Sequence, residues 1–81
     1  MPQEQTSLFN LQEIDTKNIR DTLNEVYQSL EERGYNPTNQ IVGYLISGDP
    51  GYISNYKECR NRILKYKKED LLEVMLVNFI K

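Results

Sequence analysis

The chain contains no histidine and no tryptophan, and Cys59 is its only cysteine. The absence of histidine removes the commonest general base and the commonest metal ligand together. A lone cysteine forbids an internal disulfide. With no carboxylate cluster beside it, nothing remains from which to build a zinc or other transition-metal site. Glycine is scarce, at four residues, and none sits in a Walker-type or GxGxxG loop. The stretch Gly48-Asp49-Pro50-Gly51 lacks the Lys or Ser/Thr that a phosphate cradle would use. No apolar run reaches the roughly 18 residues of a membrane span. Met1-Pro2-Gln3-Glu4-Gln5 lacks the basic-then-apolar order of a signal peptide. These absences point to a chain that is not an enzyme, needs no cofactor or metal, and works in the cytoplasm away from membranes.

What is present suits a small helical domain. At 81 residues, 38% hydrophobic and 27% charged with a net charge of −2, the chain is globular in composition. It is also short enough that its own core gives marginal stability, for which dimerisation is a common remedy.

The sequence turns on residues 34–50, which are punctuated at both ends. Gly34 can stop a helix because glycine enters the left-handed region without penalty. Asn36-Pro37 can start the next, with Asn36 as N-cap and Pro37 at the first helical position. A short apolar helix through Ile41, Val42, Tyr44, Leu45 and Ile46 then ends at Gly48, and Asp49 caps a restart at Pro50. About three turns cannot hold themselves, so neighbours must pack this helix. Gly43 inside it costs roughly 1 kcal/mol against alanine, which predicts a close approach there, such as across a dimer axis.

Before it, Ile19, Leu23, Val26, Tyr27 and Leu30 form one face of a helix over about Asn18–Arg33. Residues 1–17 are polar with scattered apolar side chains and read as a flexible tail, leaving 18–81 as the folded unit. After it, a third helix beginning at Ser54 or Asn55 carries a stripe of Tyr56, Cys59, Ile63 and Tyr66. A fourth runs from about Lys68 to Ile80. Eight of the ten residues Leu71–Ile80 are apolar, and a helix apolar nearly all round must be buried nearly all round. This chain has too little other material to wrap it. The expected architecture is therefore all-α, a compact bundle of about four to five short helices, homodimeric through Leu72, Met75, Leu76 and Phe79.

Charge is unevenly spread. Residues 55–68 hold Lys57, Arg60, Arg62, Lys65, Lys67 and Lys68 against Glu58, a local balance of +5 that leaves −7 elsewhere. Such a face, with Arg60, Arg62, Lys65, Lys67 and Lys68 as its candidates, can bind phosphate on a nucleic acid or on a modified side chain. It can equally be a solvated face paired to Glu25, Glu31 and Glu32 of the first helix. A nucleic-acid module is the alternative function class, and a pI near 5.0 weighs against it. Tyr35, Tyr44, Tyr52 and Tyr56 read as half-buried core residues, Asp49 as a cap, and Cys59 as a small core residue.

The run Gly34–Ile53, GYNPTNQIVGYLISGDPGYI, is similar to the signature of the IreB/ReoM family of small bacterial regulatory phosphoproteins. The likeness continues more loosely through Tyr56, Arg60, Ile63, Lys68-Glu69-Asp70 and Leu72. It implies a tail threonine phosphorylated by a membrane Ser/Thr kinase with extracellular PASTA repeats. Thr6 occupies the matching place, a few residues ahead of Phe9, with Ser7 and Thr16 as the other hydroxyls. It further implies control of peptidoglycan synthesis and antibiotic tolerance through protein contacts. In that family the unphosphorylated protein is linked to Clp-protease degradation of the enzyme for the first committed step, and phosphorylation relieves this.

Overall fold

The computed structural model describes residues 13–80; Thr6 and Ser7 lie outside the described residues. Four α-helices carry the fold, and no strand occurs among the described residues. They are α1 (Glu13–Glu32), α2 (Pro37–Ser47), α3 (Cys59–Ile63) and α4 (Lys68–Ile80), with single 3-10 turns at Pro50–Tyr52 and Tyr56–Glu58.

The helix α1 is the spine, and α2, α3 and α4 all pack on it. It starts at Glu13, five residues ahead of the expected Asn18, so Thr16 and Lys17 are helical. Lys17 supports this first stretch by pairing with Asp21 one turn on, at 2.9 Å. The C-terminal stop is the expected Gly34, at φ 95°. Gly34 N–H donates to Glu31 O and Tyr35 N–H to Leu30 O, both at 3.0 Å. This paired closure satisfies carbonyls that the helix end would otherwise leave open.

The joints around α2 are as expected. Asn36 Oδ1 accepts from Asn39 N at 3.1 Å, and Pro37 opens the helix. Gly48 closes it at φ 78°, donating to Tyr44 O at 2.7 Å. Ser47 Oγ donates to Gly43 O and accepts from Asp49 N. Asp49 then caps the Pro50 turn by accepting from Gly51 N at 2.9 Å.

The expected third helix from Ser54 or Asn55 does not form in one piece. Lys57 and Glu58 hold positive φ, 53° and 63°, a conformation that costs a residue with a Cβ about 1–3 kcal/mol. The break delays α3 to Cys59 and shortens it to five residues. Its physical reason is tertiary: the kink lets Tyr56 and Lys57 reach back to Glu32 while Cys59 enters the core.

The core is one cluster. It joins Ile19, Val26 and Leu30 of α1, Ile41 and Tyr44 of α2, Ile53 just after the Pro50–Tyr52 turn, Cys59 and Ile63 of α3, and Leu71 and Val74 of α4. Each fully buried aliphatic side chain contributes about 1.5–3 kcal/mol relative to exposure. Two expectations are corrected here. Tyr27 is exposed, and of the four tyrosines around the signature only Tyr44 is a core residue; Tyr35 and Tyr52 are exposed and Tyr56 is half-buried. The close approach at Gly43 comes from the same chain. The Tyr52 ring lies over it, so near that an added Cβ would stand 2.6 Å from the ring.

Candidate functional site

Two surfaces flank the core on different faces of α1. On one, residues of the basic stretch meet acidic residues of α1. Arg62 pairs with Glu25, and Lys57 Nζ stands 3.0 Å from Glu32 Oε2. Tyr56 Oη donates to the same oxygen at 2.9 Å. The Lys57 and Tyr56 hydrogen bonds hold the Glu32 carboxyl below its ordinary value. The Glu32 hydrogen bond in turn raises both Lys57 and the Tyr56 hydroxyl. The Tyr56 ring also receives cations, with Arg33 5.8 Å and Lys57 5.5 Å from its centroid.

The five basic candidates divide accordingly. Arg60 Nε donates to Ile53 O at 2.9 Å, which ties the 54–58 crossing to α3. Arg62 is committed to Glu25. Lys68 Nζ lies 3.0 Å from where a Cβ on Gly48 would stand. That places its charge at the C-terminal end of α2, where the helix dipole favours a cation. Lys65 and Lys67 are exposed. So the stretch is in part a paired face, as its alternative reading held, with Glu25 and Glu32 as partners. The cluster centred on Glu32, Tyr56 and Lys57 was not legible in the sequence, because a left-handed pair at Lys57-Glu58 has no glycine or asparagine to signal it.

The other surface is apolar. The helices α2 and α4 lean on α1 and leave a groove of about 480 Å³ between them, lined by Leu23, Tyr27, Ile41, Leu45, Met75 and Phe79 among others. Beyond it, of the apolar residues of α4 only Leu71 and Val74 are buried and Met75 half-buried. Leu76 is 61%, Phe79 84% and Ile80 69% exposed, and Leu72 is exposed beside them. The apolar stripe at 72, 76 and 79–80 is thus open in the single chain.

Cys59 is buried, its thiol donates to Val26 O, and burial pushes its pKa up, away from the reactive thiolate. No group of three or more metal-ligating side chains occurs among the described residues. No described helix is long and apolar enough to cross a membrane. Asp49 is a cap, as expected.

The model of the IreB regulatory phosphoprotein family matches residues 4–81. The chain belongs to the IreB family. Nearly the whole sequence is covered, including the basic stretch and α4. Membership of a regulatory phosphoprotein family implies that the chain works through protein partners. Of the three candidate hydroxyls, Thr16 lies within α1 and is half-buried.

Proposed function

We propose that this chain is a non-enzymatic cytoplasmic switch, phosphorylated on Thr6 by a PASTA-type Ser/Thr kinase. Through protein contacts it controls Clp-dependent turnover of the enzyme for the first committed step of peptidoglycan synthesis. Membership of the IreB regulatory phosphoprotein family carries this reading. The preference for Thr6 has a physical basis: a kinase takes its substrate extended, and Thr16 would have to leave α1 first. Phosphate adds about −1.5 to −2 charges. With up to roughly 25 Å of chain between Thr6 and Glu13, from which α1 is helical, phospho-Thr6 can approach the stretch Arg60–Lys68, where Lys65 and Lys67 are exposed.

The working unit is a homodimer joined through α4, because a second copy is the economical cover for Leu72, Leu76 and Phe79. Nucleic acid is disfavoured as a partner, since Arg60 and Arg62 are engaged within the chain.

Incubating wild-type and Thr6→Ala protein with the kinase, then mapping phosphate by mass, tests the assignment. Phosphate on Thr6 in wild type and none in the variant is expected. Phosphate on neither Thr6 nor Ser7 would overturn it.

A further inference from the structure

The segment Asn55–Glu58 crosses the end of α1 between two buried anchors. Ile53 before it and Cys59 after it are 1% and 0% exposed. Arg60 Nε donates to Ile53 O at 2.9 Å and ties the two ends of the crossing together. Ser54 N–H donates to Gln40 Oε1 of α2, also at 2.9 Å. The ends are therefore fixed by the fold, while Asn55, Lys57 and Glu58 between them are exposed.

The crossing itself is strained. Lys57 and Glu58 stand side by side at φ 53° and 63°, where a residue with a Cβ stays only if its surroundings hold it. Within the crossing, Glu58 N–H donates to Asn55 O at 2.9 Å, and Asn61 Nδ2 donates to Glu58 Oε1 at 2.6 Å. Among the described residues, the hydrogen bonds from the crossing to α1 all end on Glu32. Tyr56 Oη donates to its Oε2 at 2.9 Å and Lys57 Nζ at 3.0 Å. The Lys57 and Glu32 side chains are 51% and 53% exposed, so water and salt screen their attraction. A strained pair is thus fastened to the spine by one weak, exposed contact.

We propose that Asn55–Glu58 is a strap latched to α1 by Glu32, and that it opens while the core stays folded. Opening lets Lys57 and Glu58 return to negative φ. The anchors at Ile53 and Cys59 stay buried, and the last turn of α1 is uncovered. Anything that competes for Glu32 shifts the strap toward the open form, by as much as it prefers that form. The device uses no hydroxyl considered for phosphate. Glu32, Tyr56 and Lys57 do not line the apolar groove either, so the strap is independent of what fills it.

Amide hydrogen exchange of the full-length chain, resolved by NMR, tests this with salt as the competitor. Glu58 N–H donates to Asn55 O and Cys59 N–H to Tyr56 O, so both amides exchange when the strap opens. Glu32→Ala is expected to speed both by roughly twofold to fivefold, the scale of an exposed contact. Raising salt to about 1 M should speed them in wild type and change them little in the variant. The amides of Val26 and Leu30 in α1 should remain far slower throughout. Glu31→Ala removes the same charge one residue away and keeps the latch, so its strap rates should match wild type. Equal acceleration by Glu31→Ala and Glu32→Ala, or by neither, would overturn the proposal. Strap amides that exchange only together with Val26 and Leu30 would overturn it as well, since the strap would then open only by global unfolding. None of these results bears on the phosphate mapping, so the two readings fail separately.

Discussion

Gly43 and Tyr52 show how one residue pair can hold a turn against a helix. An alanine at 43 gains about 1 kcal/mol of helix propensity but meets the Tyr52 ring at 2.6 Å, and overpacking costs about 1–3 kcal/mol. Gly43→Ala is therefore expected to lower stability by about 1 kcal/mol in the wild-type background. In a Tyr52→Ala background the same change is expected to raise it by a similar amount, as read by urea denaturation. An unchanged sign in the two backgrounds would show that the ring does not press on Gly43. Glu32 sets a second residue-scale expectation. Its folded pKa is depressed by Lys57 and Tyr56. The group therefore contributes stability above its unfolded pKa, and that contribution is lost as pH falls through the folded value. Glu32→Gln should flatten this part of the acid limb, and a denaturation series across it checks the sign. For the core, Leu30→Ala is expected to cost about 2–5 kcal/mol, because Leu30 is fully buried.

At the scale of elements, legibility followed local chemistry. Gly34, Asn36-Pro37, Gly48 and Asp49-Pro50 mark helix ends through their own backbone preferences, and each does what those preferences dictate. The stripe Ile19, Val26, Leu30 was equally readable, since a period of 3.6 needs no partner to be seen. What the sequence hid was set by contacts distant along the chain. The break at Lys57-Glu58 goes with a contact to Glu32, 25 residues away from Lys57. Tyr52 was taken for core, yet it covers Gly43 from outside. The basic stretch was legible as charge but not as geometry: Arg60 bonding Ile53 O and Lys68 lying at Gly48 depend on how α2, α3 and α4 meet. One element-scale expectation follows from α4. Leu72→Lys/Leu76→Glu removes two exposed apolar side chains and leaves Leu71 and Val74 untouched. It should turn a dimer into a folded monomer in sedimentation at micromolar concentration. An unchanged mass would place the self-association surface elsewhere.

The whole molecule reads as a spine with two unlike sides. On one side of α1, charges are already matched by Glu25 and Glu32, while Lys65 and Lys67 remain exposed. On the other lies an apolar groove continuous with an apolar helix end. For an IreB-family regulatory phosphoprotein, both sides are surfaces on which a protein partner can act. The most direct test is the half-life, in cells, of the enzyme for the first committed step of peptidoglycan synthesis. The account predicts a short half-life with the Thr6→Ala chain. It predicts a long one when the chain is deleted or its kinase is fully active. Equal half-lives across these strains would contradict it.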